Sequence, residues 1–280
     1  MLQIIYSEEM MIKINNLTKK YKEKYAVNNL NLEIKSGELF SLLGTNGAGK
    51  TTTIKMLSTL ILPTSGEVKI NNFDLTKDSA KIKEIINISP QETAIAPNLT
   101  VIENLYFMAG IYQITNKEEK INELVKIFKL DDVLKQKAKT LSGGYQRKLS
   151  IAISLINSPK ILFLDEPTLG LDVISRHDLW NIIESLKGNT TIILTTHYME
   201  EAETLCDRVG FMCNGVLEET DAPKNMIELL GRYTVDEVCP DGMKNHYFHR
   251  KEDAIQFLSD SSNETSLRNT TLEDVFLEKV

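Results

Sequence analysis

Gly44-Thr45-Asn46-Gly47-Ala48-Gly49-Lys50-Thr51 follows directly on the apolar run Phe40-Ser41-Leu42-Leu43. A run of this length and polarity predicts a buried strand. The residues after it, Thr52-Thr53-Ile54-Lys55-Met56-Leu57, predict a helix beginning near Lys50. Glycines between a strand and a helix let successive N–H groups turn inward without a Cβ in the way, and the helix start adds the positive end of its dipole. The spacing G-x-x-x-x-G-K-[ST] therefore predicts a polyphosphate cradle formed by Gly44 to Thr52, with Lys50 on the β- and γ-phosphates and the Thr51 hydroxyl on Mg²⁺. A glycine turn that binds nothing is the bland alternative, and the strand before and helix after it weigh against that.

Outward from this loop, Lys160-Ile161-Leu162-Phe163-Leu164-Asp165-Glu166 and Thr190-Thr191-Ile192-Ile193-Leu194-Thr195-Thr196 predict two more buried strands. Strands covered on both faces belong to parallel sheets, and a helical crossover is expected around Leu179 to Leu186. Such sheets carry their sites at strand C-termini. The first run ends in two carboxylates: Asp165 is expected on the metal side, acting through water, and Glu166 as the general base or the group that orients the attacking water. An acidic pair alone would be an ordinary solvated strand end. His197 closes the other run and is expected to sense the γ-phosphate as a switch.

The remaining patterns set the frame. Ile12-Lys13-Ile14 and Leu30/Leu32/Ile34 alternate as half-exposed strands, predicting an antiparallel lobe before the P-loop. Glu67-Val68-Lys69-Ile70 with the Asn71-Asn72 turn predicts a hairpin, and Ile85-Ile86-Asn87-Ile88 a short strand. From Leu99 to Leu155 the apolar spacing turns helical, predicting an inserted helical subdomain. Within it Leu141-Ser142-Gly143-Gly144-Tyr145-Gln146 opens a helix with Ser142 as N-cap, so Ser142, Gly143 and Gly144 form a second anion site far in sequence from the first. Two chains, each offering this turn to the ATP held by the other in an isologous dimer, are the economical solution.

Composition narrows the class. The chain has 280 residues, 42% of them hydrophobic, enough for a sizeable core in one large or two modest domains. Its 32 basic and 39 acidic residues leave a net charge of −7, which disfavours a nucleic-acid-coating role, and no nucleic-acid partner is expected. No apolar run approaches the ~20 residues that cross a bilayer, so a soluble, intracellular chain is expected. Cys206, Cys213 and Cys239 lack the spacing of a disulfide framework or zinc site. Residues 1–10 are read as a dispensable extension.

The P-loop, Gln91, the Leu141-to-Gln146 turn, the strand ending in Asp165-Glu166, Leu171-Asp172 and His197, in this order and spacing, resemble the ATP-binding subunit of an ABC transporter over roughly residues 11–225. The resemblance implies a RecA-like α/β P-loop core with an antiparallel β lobe and a helical subdomain at about 96–158, followed by a small accessory region, 226–280, with a polar loop at Asp260 to Asn263. It implies that Tyr21 stacks on adenine, with Tyr25 as competitor. It also implies that Gln91 joins Mg²⁺ and the attacking water to the helical subdomain, and that Asp172 crosses the dimer interface. Pro90 to Leu105 would form much of a groove for a membrane permease encoded separately, placing the chain at the inner face of the cell membrane. Tyr145 stands where glutamine is commonest and Thr45 where proline or a small residue is usual; Ser142, Gly143 and Gly144 are intact. Pro167-Thr168-Leu169-Gly170-Leu171-Asp172, the stretch after His197 and the ending Thr271 to Leu277 resemble type-2, daunorubicin-exporter-like systems, which implies ATP-driven export. A soluble ATPase of translation or DNA repair is the alternative; one P-loop, no sustained heptads and no cysteine pairs argue against it.

Overall fold

The computed structural model describes residues 10–279; the expected extension, residues 1–10, lies outside them except for Met10. In chain order the elements are β1 (Met10–Tyr21), β2 (Lys24–Lys35), β3 (Leu39–Leu43), α1 (Lys50–Leu57), β4 (Ser65–Ile70), β5 (Phe73–Asp74), α2 (Ser79–Ile85) and β6 (Ile86–Ser89). Then come α3 (Val101–Ile111), α4 (Lys117–Phe128), α5 (Gly143–Ser154), β7 (Ile161–Asp165), α6 (Val173–Ser185), β8 (Thr191–Thr196), α7 (Met199–Leu205), β9 (Arg208–Cys213) and β10 (Val216–Asp221). The chain ends in α8 (Pro223–Leu230), β11 (Tyr233–Cys239), β12 (Gly242–Phe248), α9 (Lys251–Asp260), β13 (Glu264–Asn269) and α10 (Leu272–Lys279).

The central sheet has the order β10-β9-β3-β8-β7-β6, parallel except for the β9–β10 hairpin. Its middle strands β3, β7 and β8 are buried along their whole length, and the two-residue period of a strand divides their side chains between two cores. Phe40, Leu42, Phe163 and Ile193 face the antiparallel sheet β2-β1-β4-β5, where Ile12, Ile14 and Leu30 meet them. Leu39, Leu43, Leu162, Leu164, Ile192 and Leu194 face the opposite side, with α5 and α6 residues such as Leu149, Leu179 and Trp180. Each such fully buried side chain contributes about 1.5–3 kcal/mol of transfer free energy, so the loops at the C-termini of these strands stand on a well-packed floor.

Three expectations shift. The crossover helix α6 starts at Val173, several residues before the expected Leu179, because Asp172 caps it by accepting from the Ser175 N–H at 3.0 Å. The polar loop of the C-terminal segment is 261–263, since Asp260 still belongs to α9. That segment is itself ordered: β12-β11-β13 form an antiparallel sheet, α9 covers it, and α10 returns to pack on α8 and α7. The boundary expected at 225/226 lies inside α8, whose first turn is set by Pro223.

Candidate active site

The cradle loop closes because glycine stands where a side chain has no room. A Cβ on Gly49, at φ 110°, would lie 2.4 Å from the Ala26 carbonyl oxygen, and one on Gly44 would lie 2.2 Å from that of Met212. The loop opens into a cleft of about 450 Å³. Tyr21, residues 45–52, Gln91, Glu166 and His197 all line it, together with Lys24, Ala26 and Leu169, which the sequence reading did not single out. Tyr21 is half exposed at the rim, with the Lys19 ammonium 5.1 Å from its ring centre; the lining does not include Tyr25.

Lys50 is 5% exposed, and its ammonium donates to the Gly44 carbonyl at 2.6 Å and that of Thr45 at 3.3 Å. Its nearest carboxylate oxygen is Glu166 Oε1 at 3.4 Å. The other Glu166 oxygen, Oε2, lies 2.8 Å from His197 Nδ1. Glu166 takes a left-handed backbone, φ 49°, a conformation unfavourable for a side chain with a Cβ. Its N–H is held by Thr195, at 3.1 Å from the carbonyl oxygen and 3.0 Å from the hydroxyl, so the chain leaves the sheet abruptly at this carboxylate. Thr195 also donates to Asp165 Oδ1 at 2.6 Å, and Thr51 donates to the same oxygen at 3.0 Å. Thr195 is thus a site residue that sequence reading passed over as one more strand threonine.

Glu201 was missed as well. It is fully buried behind the site, accepts from Trp180 Nε1 at 3.0 Å, and burial pushes its carboxyl pKa up against the opposing Thr196 and Thr168 hydroxyls and Trp180. It stands on the inward face of the helix starting at Met199, one turn before buried Leu205, and only its acidic type, shared with exposed Glu200 and Glu203, hides that burial.

Ser142, Gly143, Gly144 and Asp172 do not line the cleft. Ser142 Oγ accepts from the Tyr145 N–H at 3.4 Å, as the N-cap of α5. Asp172 is exposed, its carboxyl lowered by the Ser175 N–H and then by the Ser175 hydroxyl. A Cβ on Gly144 would lie 2.7 Å from Ser175 Oγ, so these two turns adjoin each other, outside the residues that line the cleft.

The donor set suits a hard cation. Thr51 Oγ1 and the Asp165 carboxylate meet at hydrogen-bond distance and Gln91 can add an amide oxygen. Among the described residues there is no group of three or more His, Cys, Asp or Glu able to hold a metal ion. Few protein oxygens beside a phosphate cradle fit Mg²⁺, which keeps its waters and takes phosphate oxygens.

The sequence profile described as ABC transporter matches residues 27–169. The linearmycin resistance ATP-binding protein LnrL of Bacillus subtilis is 37% identical over 240 residues, which cover 85% of this chain and 77% of LnrL. The human phospholipid-transporting ATPase ABCA3 is 42% identical over 213 residues, 74% of this chain but 12% of its own length. Among solved structures, the dimeric post-hydrolysis state of the ATP-binding cassette MJ0796 bound to ADP and Pi superposes with a TM-score of 0.69 at 30% identity, over 76% of this chain and 98% of that one. Among the described residues no helix is long and apolar enough to cross a membrane.

Proposed function

The chain belongs to the ABC transporter family, as one of its ATPase cassettes, and from that premise we propose that it is the ATP-hydrolysing motor of an exporter, pairing with a second copy and driving a separate permease. The observation that carries the proposal is the Lys50–Glu166–His197 chain at the inner end of the cleft. The ATP-binding domain expected over 11–225 then closes with β10 at Asp221, with a helical subdomain at about 96–158, and the accessory region starts with α8. Working at the inner face of the cell membrane follows from the permease.

In this reading adenine stacks on Tyr21 at the rim and the phosphates enter the 44–52 loop. Their negative charge draws Lys50 away from Glu166, to which it is bound only at 3.4 Å. Glu166 is then free to orient a water and accept its proton as the water oxygen bonds to the γ-phosphorus. The bond from that phosphorus to the β–γ bridging oxygen breaks, with the electron pair leaving on ADP. His197, on Glu166 Oε2, fixes the carboxylate and reads the γ-phosphate. Thr51, Asp165 and Gln91 would hold Mg²⁺, which when bound neutralises charge on the β- and γ-phosphates.

A dimer is supported by the placement of Ser142, Gly143, Gly144 and Asp172 outside the chain's own cleft and by the dimeric MJ0796 cassette. ATP bound between the P-loop of one chain and the Ser142 turn of its partner favours the closed dimer, and hydrolysis reopens it. A permease is supported by α3, which starts inside the Pro90-to-Leu105 stretch and exposes Phe107 and Ile111 by 55% and 56%. Export of a drug or lipid-like substrate is supported by the names of LnrL and ABCA3. Glu166→Gln tests the reading: ATP hydrolysis should fall by about 10²-fold or more while ATP binding persists and dimers accumulate, and normal turnover in that variant refutes the role given to Glu166.

A further inference from the structure

The helix α5 begins at the Ser142 turn and, one turn in, buries Arg147 to 5% exposure. The guanidinium donates through Nη1 to the Pro90 carbonyl at 2.8 Å and through Nη2 to the Gln91 carbonyl. Three residues on, along the same helix face, Ser150 Oγ lies 3.2 Å from Ser89 Oγ, both buried. One helix face therefore grips Ser89, Pro90 and Gln91 in succession, where β6 ends and the Gln91 loop begins.

This is a costly way to fasten a loop. A guanidinium taken out of water calls for a carboxylate, yet among the described residues Arg147 pairs with none and is satisfied by two backbone carbonyls. Burial lowers its pKa, and the charge of Asp165 opposes that shift; an arginine keeps its proton regardless. The planar fork fixes two consecutive carbonyls in one orientation, which the freely rotating ammonium of lysine does not. A loop that needed only packing would be held by an apolar side chain. What the fork adds is direction, because Pro90 and Gln91 must follow wherever α5 goes.

We infer that Arg147 is a positioning residue that locks the Gln91 loop to α5, so that a nucleotide docking on the Ser142-Gly143-Gly144 turn sets Gln91 in that same chain's own cleft. The inference rests on the dimer reading above and gives it a route between the two ATP sites: the partner's phosphate moves the start of α5, Arg147 moves with it, and the Gln91 side chain turns into the cleft, where it would help hold Mg²⁺ and orient the water. The backbone of Gln91 is the part held; its side chain stays exposed and makes no hydrogen bond among the described residues.

The test compares the full chain with Arg147→Lys, Arg147→Met and Ser150→Ala, measuring ATPase rate against ATP concentration, binding of a fluorescent ATP analogue, and thermal melting. The native chain should hydrolyse ATP with a Hill coefficient above one; no hydrolysis at all refutes the motor reading itself rather than the role of Arg147. Arg147→Lys and Arg147→Met should lower kcat by about 10–10²-fold, the scale of a misplaced catalytic group. Their Hill coefficient should fall to one, while KM and analogue binding stay within about twofold. Ser150→Ala, which removes the second grip with little change in volume, should shift both quantities in the same direction by less, and it decides the matter if the Arg147 variants do not fold. Native-like kinetics in all variants overturns the inference. So does a loss of kcat with an unchanged Hill coefficient, or a loss of analogue binding together with melting, which would make Arg147 a structural residue only.

Discussion

The nucleotide cleft and the C-terminal sheet use the same polar side chains in opposite ways. In the C-terminal sheet these groups satisfy each other. Arg268 donates from Nε to Asp236 at 2.8 Å and from Nη1 to Asp274 at 2.7 Å, and Glu237 accepts from Ser261 at 2.8 Å and Asn263 at 3.0 Å while pairing with His246 at 2.9 Å. In the cleft part of the bonding is long or open: Lys50 holds the Gly44 carbonyl at 2.6 Å but Thr45 and Glu166 only at 3.3 and 3.4 Å, and Gln91 leaves its amide exposed. A closed network gives a region a fixed shape. An open one keeps groups ready for a ligand that brings the missing charges, and the difference separates scaffold from site without reference to motif.

Removing a charge from each region should break different things. Lys50→Ala should cost the most, weakening ATP binding by about 10²-fold, or ~3 kcal/mol, the scale of a charge-assisted phosphate contact. Melting without nucleotide should move less, because the substitution leaves Glu166 its His197 partner, and only the Gly44 and Thr45 carbonyls lose a donor. Calorimetric titration with ATP checks this, and an unchanged affinity would remove Lys50 from the cradle. Arg268→Ala should do the reverse, since it leaves Asp274, whose side chain is 3% exposed, without its cation. A loss of roughly 2 kcal/mol in unfolding free energy is expected, with ATP affinity within about twofold. A parallel loss of ATP affinity would show that the two regions are not separable.

The same contrast explains what could be read from the sequence. Phosphate chemistry dictates residue types at fixed spacing, so Lys50, Thr51, Asp165, Glu166 and His197 stand out, and the doubly buried β3, β7 and β8 were legible as unbroken apolar runs. The C-terminal sheet offers no such signal. In Tyr233–Cys239 the residues at 236 and 237 are charged and answer partners distant along the chain, Arg268 for one and Ser261 and Asn263 for the other, so neither face alternates cleanly. Glu201 and Arg147 escaped for the same reason. A buried charge is recognisable only by its partner, here Trp180 for one and the Pro90 and Gln91 carbonyls for the other, and these lie 21 and more residues away.

The smallest expected effect concerns acid. Glu237 is held down to about 2 by the Ser261 hydroxyl first, then by the Asn263 amide and His246, from an ordinary value of 4.5. A carboxyl whose folded pKa is depressed stabilises the fold fully above its unfolded value and loses that contribution as pH falls through the folded one. The closed network of the C-terminal sheet should therefore weaken between pH 4.5 and about 2. Glu237→Gln, which cannot ionise, should remove that part of the acid dependence and so lie below the native chain in melting temperature near pH 7 but approach it near pH 2. Melting curves of the two proteins across this range measure the difference directly. Parallel curves would mean that the Ser261 and Asn263 bonds survive protonation, and that the sheet is closed by shape rather than by the charge of Glu237.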